Sequence, residues 1–208
     1  MRRTAAVFLI LVPFLIGATA GAQPVVTMRG NVGAAFFRSP EGLNTVLNSG
    51  IDLGLGTGIQ LYEGLEIVLE GSYDRFTLNA DNIALYSENL SVGTRVEGGA
   101  LNVLNATIGF RYLFSHQGSA RPYAAGGIGI YRSVLERARI PETNQRLSRL
   151  AAISRGYHAA LGARFRIDDT YSFFFEPRYV IVDTNGTELD TNSSTRYLTV
   201  RLGLDVRL

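Results

Sequence analysis

The chain has 208 residues, with 20 basic and 18 acidic side chains, no cysteine and a formal net charge of +2. That length suits one domain, and the missing cysteines exclude a disulfide framework and a thiolate metal centre. The balanced charge excludes the concentrated basic face that nucleic acid requires, and no stretch after residue 22 is apolar for the 18 residues that a spanning helix needs.

Arg2 and Arg3 precede an apolar run at residues 7–16, and Ala20-Gly21-Ala22 supplies small residues before Gln23. A basic start, a short apolar stretch and a small-residue cleavage site describe a secretory signal peptide. Cleavage is therefore expected after Ala22, leaving residues 23–208 as one barrel domain. Losing Arg2 and Arg3 leaves 18 basic against 18 acidic residues, so the mature chain is close to neutral.

Beyond that point the pattern alternates with a period of two, the signature of strands. Residues 25–37 set Val26, Met28, Val32 and Phe36 against Thr27, Arg29 and Asn31. Residues 50–62 set Ile51, Leu53, Leu55, Ile59 and Leu61 against Asp52, Gly54, Gly56, Gly58 and Gln60. Residues 65–76 set Leu65, Ile67, Leu69 and Tyr73 against Glu66, Glu70, Ser72 and Asp74. In residues 101–114, Leu104, Ala106, Ile108, Phe110, Tyr112 and Phe114 oppose Asn105, Thr107, Gly109 and Arg111. Residues 122–132 form a fifth strand whose faces glycine and alanine blur. Residues 157–168 oppose Leu161, Phe165 and Ile167 to His158, Gly162, Arg164 and Arg166. Residues 171–182 oppose Phe173, Phe175, Tyr179 and Ile181 to Ser172, Glu176 and Arg178. The last, 197–208, opposes Leu198, Val200, Leu202, Leu204, Val206 and Leu208 to Tyr197, Thr199, Arg201, Gly203, Asp205 and Arg207.

These are eight strands of a length suited to a tilted membrane crossing. Which face turns inward follows from glycine. An eight-stranded barrel is only just wide enough for side chains, so small residues belong inside. Gly54, Gly56, Gly58, Gly109, Gly162 and Gly203 share the charged face, whereas Phe110, Phe114, Phe165, Phe173 and Phe175 crowd the other. The expected fold is all-β: an eight-stranded antiparallel up-and-down transmembrane β-barrel with a polar interior. The connections agree, being short at 63–64, 115–121 and 168–170 and long at 38–49, 77–100, 133–155 and 183–195. Outer-membrane barrels have short periplasmic turns and long external loops, and eight strands bring both termini to the periplasmic side. Phe36, Tyr73, Tyr112, Phe114, Tyr171 and Tyr179 suit the two interfacial girdles.

Arg111-Tyr112-Leu113-Phe114, followed by the run from Arg121-Pro122-Tyr123 to Tyr131, resembles the central hairpin of the small OmpA-type and OmpX-type outer-membrane barrel proteins. Phe175-Glu176-Pro177-Arg178-Tyr179 resembles their penultimate strand. The resemblance covers the mature chain as architecture and implies a porin-like barrel in the cell outer membrane of a Gram-negative bacterium. Assembly by the barrel-assembly machinery and a monomeric state are implied with it. The chain departs from that pattern in ending on the aliphatic Leu208.

Thirteen inward charges form the most specific constellation: Arg29, Asp52, Glu66, Glu70, Asp74, Arg111, Arg164, Arg166, Glu176, Arg178, Arg201, Asp205 and Arg207. Charges in so narrow a space must be paired or hydrated, and arginine forks two hydrogen bonds to a carboxylate. Cross-strand register places Glu176 near Gly162 and diagonally close to Arg164. Catalysis would need a nucleophile beside a base. His116 lies in a turn, His158 faces inward, and Ser172 is at the far end of the neighbouring strand, with Ser154 closer. His158 is followed by Ala159-Ala160-Leu161, not by the pattern of lipid A deacylases, so no enzyme and no catalytic residue is expected. The glycines at 54, 56 and 58 belong to a strand and not to a phosphate loop, and 183–190 reads as an Asn-Gly turn without the closing glutamate of a calcium site. No metal and no cofactor is expected.

The third long link is basic: Arg132, Arg137, Arg139, Arg146, Arg149 and Arg155 face only Glu136 and Glu142. Residues 144–153 are expected to form a short helix, and the arginines could hold phosphates of outer-membrane lipid and lipopolysaccharide. The function expected is non-enzymatic, in envelope integrity or surface contact through the external loops. A narrow pore is the alternative, and a lipid-modifying enzyme the third reading.

Overall fold

The alternation closes on itself. A computed structural model of the protein describes residues 25–39, 46–79, 97–114, 118–140, 145–147, 150–184 and 194–208. Residues 1–22, expected to be a signal peptide, and His116, Asn144, Arg149 and residues 185–190 lie outside them. Its strands are β1 (Val26–Ser39), β2 (Gly50–Tyr62), β3 (Leu65–Thr77), β4 (Glu97–Gly98), β5 (Ala100–Leu113), β6 (Ala120–Leu135), β7 (Ala138–Ile140), β8 (Gln145–Leu147), β9 (Leu150–Arg166), β10 (Tyr171–Val182) and β11 (Thr195–Arg207). Eight of them form a closed antiparallel barrel in the order β1-β11-β10-β9-β6-β5-β3-β2. Closure comes from β1 on β11, in register from Thr27 opposite Arg207 to Phe37 opposite Tyr197, so each of the eight barrel strands has a neighbour on both sides.

The tight connections and the described termini share one end of the barrel, the turn end, and the long links share the other, the loop end. At the turn end Gly64, with a φ of +86°, lets two residues join β2 to β3, a backbone geometry that side chains resist. The turn before β10 is fixed by Asp168, whose Oδ1 accepts from the backbone N–H of Thr170 at 2.8 Å and of Tyr171 at 2.7 Å.

The outward faces carry Leu55, Leu161, Ile128 and Val32 at 75, 64, 62 and 60% exposure, with Leu202, Leu204, Ile108 and Phe110 between them. So continuous an apolar surface suits hydrocarbon and not water. Aromatic rings gather on this face near the turn end, Tyr112 edge-on to Phe114 at 5.6 Å and Phe165 tilted against Phe173 at 6.2 Å.

Two expectations need correction at the third link. Strand β6 runs on to Leu135 and β9 begins at Leu150, paired in register with it, so Arg132 and Arg155 are wall residues. The helix expected over 144–153 does not form: Gln145–Leu147 is β8, and β9 takes the chain from Leu150. Ala152, Ser154 and Gly156 turn inward while Ala151, Ile153 and Arg155 turn out, so this stretch also alternates. The ladder with β6, in register from Leu150 onward, outweighs the modest helix preference of Leu and Ala. Beyond the barrel, β4, β7 and β8 form a three-stranded sheet that joins the second long link to the third.

Candidate functional site in the barrel interior

The interior is built in complementary pairs of large and absent side chains. Tyr123, Tyr131 and Phe174 point inward at 1% exposure, which settles the faces of β6: Tyr123 and Tyr131 in, Ile128 and Ile130 out. Each ring lies over a glycine of the neighbouring strand. A Cβ at Gly162 would run into the Tyr123 ring, one at Gly156 would meet Tyr131 at 2.7 Å, and one at Gly203 would meet Phe174 at 2.5 Å. The glycines of the charged face therefore receive inward aromatics as well as leave room for charges.

Between these rings runs a chain of ion pairs. Arg111 donates to Glu66 at 2.9 Å, and Arg164 grips the same carboxylate through two nitrogens at 2.9 and 3.1 Å. Arg164 Nε also lies 2.8 Å from Asp205, which Arg29 meets from the other side at 3.3 Å. Arg29 reaches Glu176 at 3.5 Å, Arg178 donates to Glu176 at 2.7 and 3.0 Å, and Arg178 also forks onto Glu70. Arg201 joins Glu70 to Asp52, whose second oxygen accepts from Asn31 at 2.6 Å. The sequence of contacts alternates arginine and carboxylate from Arg111 to Asp52, and every barrel strand but β6 contributes a member. β6 supplies Tyr123, whose hydroxyl donates to Glu176 at 2.8 Å, while Arg111 and Arg29 lie 5.2 and 3.8 Å from the ring centroids of Tyr123 and Phe174. Members of this chain are at most 9% exposed.

Asp74 stands beyond it, opposite Asp52 in register, and accepts from the Tyr197 hydroxyl at 2.9 Å. Above Tyr197, toward the loop end, the lumen turns apolar. Phe76 packs edge-on against Phe37 and Tyr197 at 5.4 and 5.6 Å, and Leu47, Val103 and Val182 complete the layer. Alternation kept these residues on the polar face, so the sequence reading had no cap at this end. At the turn end the interior opens into a cavity of about 100 Å³ lined by Gln60, Arg121, Arg166, Asp168, Ser172 and Arg207.

Eleven of the thirteen expected inward charges are thus buried together. Arg166 and Arg207 share their parity but sit on the exposed turn-end rim, because β9 and β11 end there. The register puts Glu176 across from Gly162 and diagonal to Arg164, as expected, since Phe175 is opposite Ala163 and Arg178 opposite Ala160, but Arg164 bonds Glu66 and Asp205 across the lumen and makes no ion pair with Glu176. The strand pairing keeps His158 and Ser172 apart. The His158 ring lies against Gly127, its Nδ1 has no hydrogen-bond partner, and Ser172 is opposite Arg166 at the far end of the strand pair. Of the basic third link, Arg132, Arg137 and Arg155 are exposed, and Arg139 lies opposite Glu97 and Arg146 in the small sheet.

The model of the outer membrane protein beta-barrel domain matches residues 5–204. No curated protein matches the chain in sequence. Among solved structures, Neisserial surface protein A superposes with a TM-score of 0.55 at 15% identity, over 88% of this chain and 97% of that one. A major outer membrane protein from Thermus thermophilus gives 0.53 at 13%, over 88 and 99% of the two chains. Ail, the attachment invasion locus protein of Yersinia pestis, solved with the heparin analogue sucrose octasulfate, gives 0.50 at 10%, over 90 and 100%. At such identities the likeness is one of fold. The closed eight-stranded barrel, its apolar outer face and the match along nearly the whole sequence place the chain in the outer membrane protein beta-barrel domain family.

Proposed function

We propose that the protein is a non-enzymatic structural component of the outer membrane, a plugged barrel that supports envelope integrity and meets its surroundings through the loop end. The observation that carries this reading is the filled lumen, in which an unbroken chain of paired charges lies beneath an aromatic layer. A conducting pore needs hydrated, exchangeable charges along its axis, whereas here each arginine of the chain is held by carboxylates. The wild-type protein in planar bilayers is expected to show no steady openings. Steady conductance that disappears in Glu176→Gln would replace this reading with a narrow pore. Lipid A of unchanged mass after expression is the result expected of a protein without lipid-modifying activity, and a new acylation state would overturn the non-enzymatic part.

Export fits the same reading: a signal peptide removed after Ala22, insertion by the barrel-assembly machinery, and residence as a monomer. Mass spectrometry of protein from outer membranes should find Gln23 as the first residue, and retention of residues 1–22 would refute the cleavage site.

A further inference from the structure

The geometry points to a lipid A site on the outer wall, at the loop end of β6 and β9, in which Arg132 and Arg155 bind a phosphate and the groove below them holds an acyl chain. It rests on the outer-membrane reading above and moves the contact from a loop to the wall. In sequence these two arginines bracket the third link. In the barrel Arg132 is opposite Ile153 and Arg155 opposite Ile130, which makes the arginines diagonal neighbours on one face. Such positions are roughly 7–8 Å apart, a span that one phosphate can bridge.

Both side chains are exposed on the lipid-facing side, and among the described residues neither has an ion-pair partner. Two acids stand nearby: Asp183, whose backbone N–H donates to the Arg155 carbonyl at 2.8 Å, and Glu136, which lines the recess of about 270 Å³ that contains Arg132 but is taken by Arg75 at 3.6 Å and by Asn102, which donates to it at 2.8 Å. Unpaired arginines on the lipid face are tolerated only near the interface, where headgroup phosphates are within reach. Immediately below Arg155 a groove of about 510 Å³ opens toward the membrane core, walled by Leu69, Ile108, Ile128, Ile130 and Tyr157 and floored by Ala106. Ala106 and Gly71 are paired in register, so two adjacent wall positions lack bulk where their neighbours have it. Arg155 directly above an apolar groove, with Arg132 diagonal to it and neither in an ion pair among the described residues, matches an amphiphile whose phosphate and acyl chain are fixed to one another. The loop end faces the outer leaflet, so we commit to lipid A over a phospholipid.

The test compares folded wild-type protein with Arg132→Ala/Arg155→Ala and with Ala106→Leu, each in phosphatidylcholine nanodiscs titrated with purified bis-phosphorylated lipid A. All three should retain the heat-modifiable mobility of a closed barrel, because the substitutions point outward. Affinity should fall roughly fivefold for each arginine and about twenty-five-fold for the pair, and Ala106→Leu should weaken it by filling the groove floor. Equal affinity in the double variant, equal binding of dephosphorylated lipid A, or displacement by phosphatidylglycerol at the same concentration would each overturn the proposal. Because lipid retention is read independently of conductance, a silent channel with unchanged retention refutes this site and leaves the plugged-barrel reading standing.

Discussion

Glu176 shows what a single inward residue does in this barrel. It is fully buried and accepts from Arg178, Arg29 and Tyr123, so its charge is matched by groups from three strands. Removing that charge leaves two guanidiniums short of a partner in a dry interior, a change that costs about 3–5 kcal/mol. Glu176→Gln should therefore lower the urea midpoint for unfolding in detergent micelles, followed by far-ultraviolet circular dichroism because the chain has no tryptophan. An unchanged midpoint would mean the chain of ion pairs is not coupled to stability. Gly203 is a second case, since a Cβ there meets the Phe174 ring. Gly203→Ala should destabilise by about 1–3 kcal/mol through overpacking. A Cβ at Gly203 also meets the Gly30 carbonyl oxygen, so only part of that loss should be recovered when Phe174 is already alanine, which a double-mutant cycle measures. Which residues face inward was legible from alternation, but the pairing of Phe174 with Gly203 depends on strand register, which neither strand specifies alone.

Among the elements, β2 and β10 fall where alternation put them, at residues 50–62 and 171–182. Both are bounded by clear turn chemistry, Glu63-Gly64 after β2 and Asp168 before β10. The β6–β9 hairpin differs because its outer parts carry arginine, serine and alanine, residues equally at home in a loop. Only the partner strand makes them wall. Amide exchange should therefore be as slow at Ser133, Val134, Ala151 and Ala152 as at the barrel centre; fast exchange there would return the boundary to Arg132 and Arg155. Ala151→Cys and Ile153→Cys should react with a water-soluble thiol reagent and Ala152→Cys and Ser154→Cys should not, since burial alternates through this stretch, which lies at and beyond the level of Arg132.

For the whole molecule, two barriers in series close the lumen: the apolar cap around Phe76 and Tyr197, and the charge chain beneath it. Replacing Phe76 and Tyr197 by alanine removes the first and frees Asp74 from its hydroxyl donor, yet leaves the chain from Arg111 to Asp52 in place. That double variant should remain silent in planar bilayers while losing stability, and sustained openings would show that the cap alone closes the barrel. The ion pairs connect residues as far apart as Arg201 and Asp52, so their loss should unfold the barrel as a unit and not strand by strand.

The sequence by itself determined the eight barrel strands, the barrel class and the inward face of all of them but β6, because a side-chain period of two and the crowding of a small barrel are local constraints written into those segments, whereas the small sheet of β4, β7 and β8 was not legible in it. The ion-pair partners, the aromatic cap and the two wall arginines side by side were decided only by the tertiary structure. Closure brings strands from opposite ends of the chain across one narrow lumen, and strand register then selects which of several equally charged residues come within bonding distance.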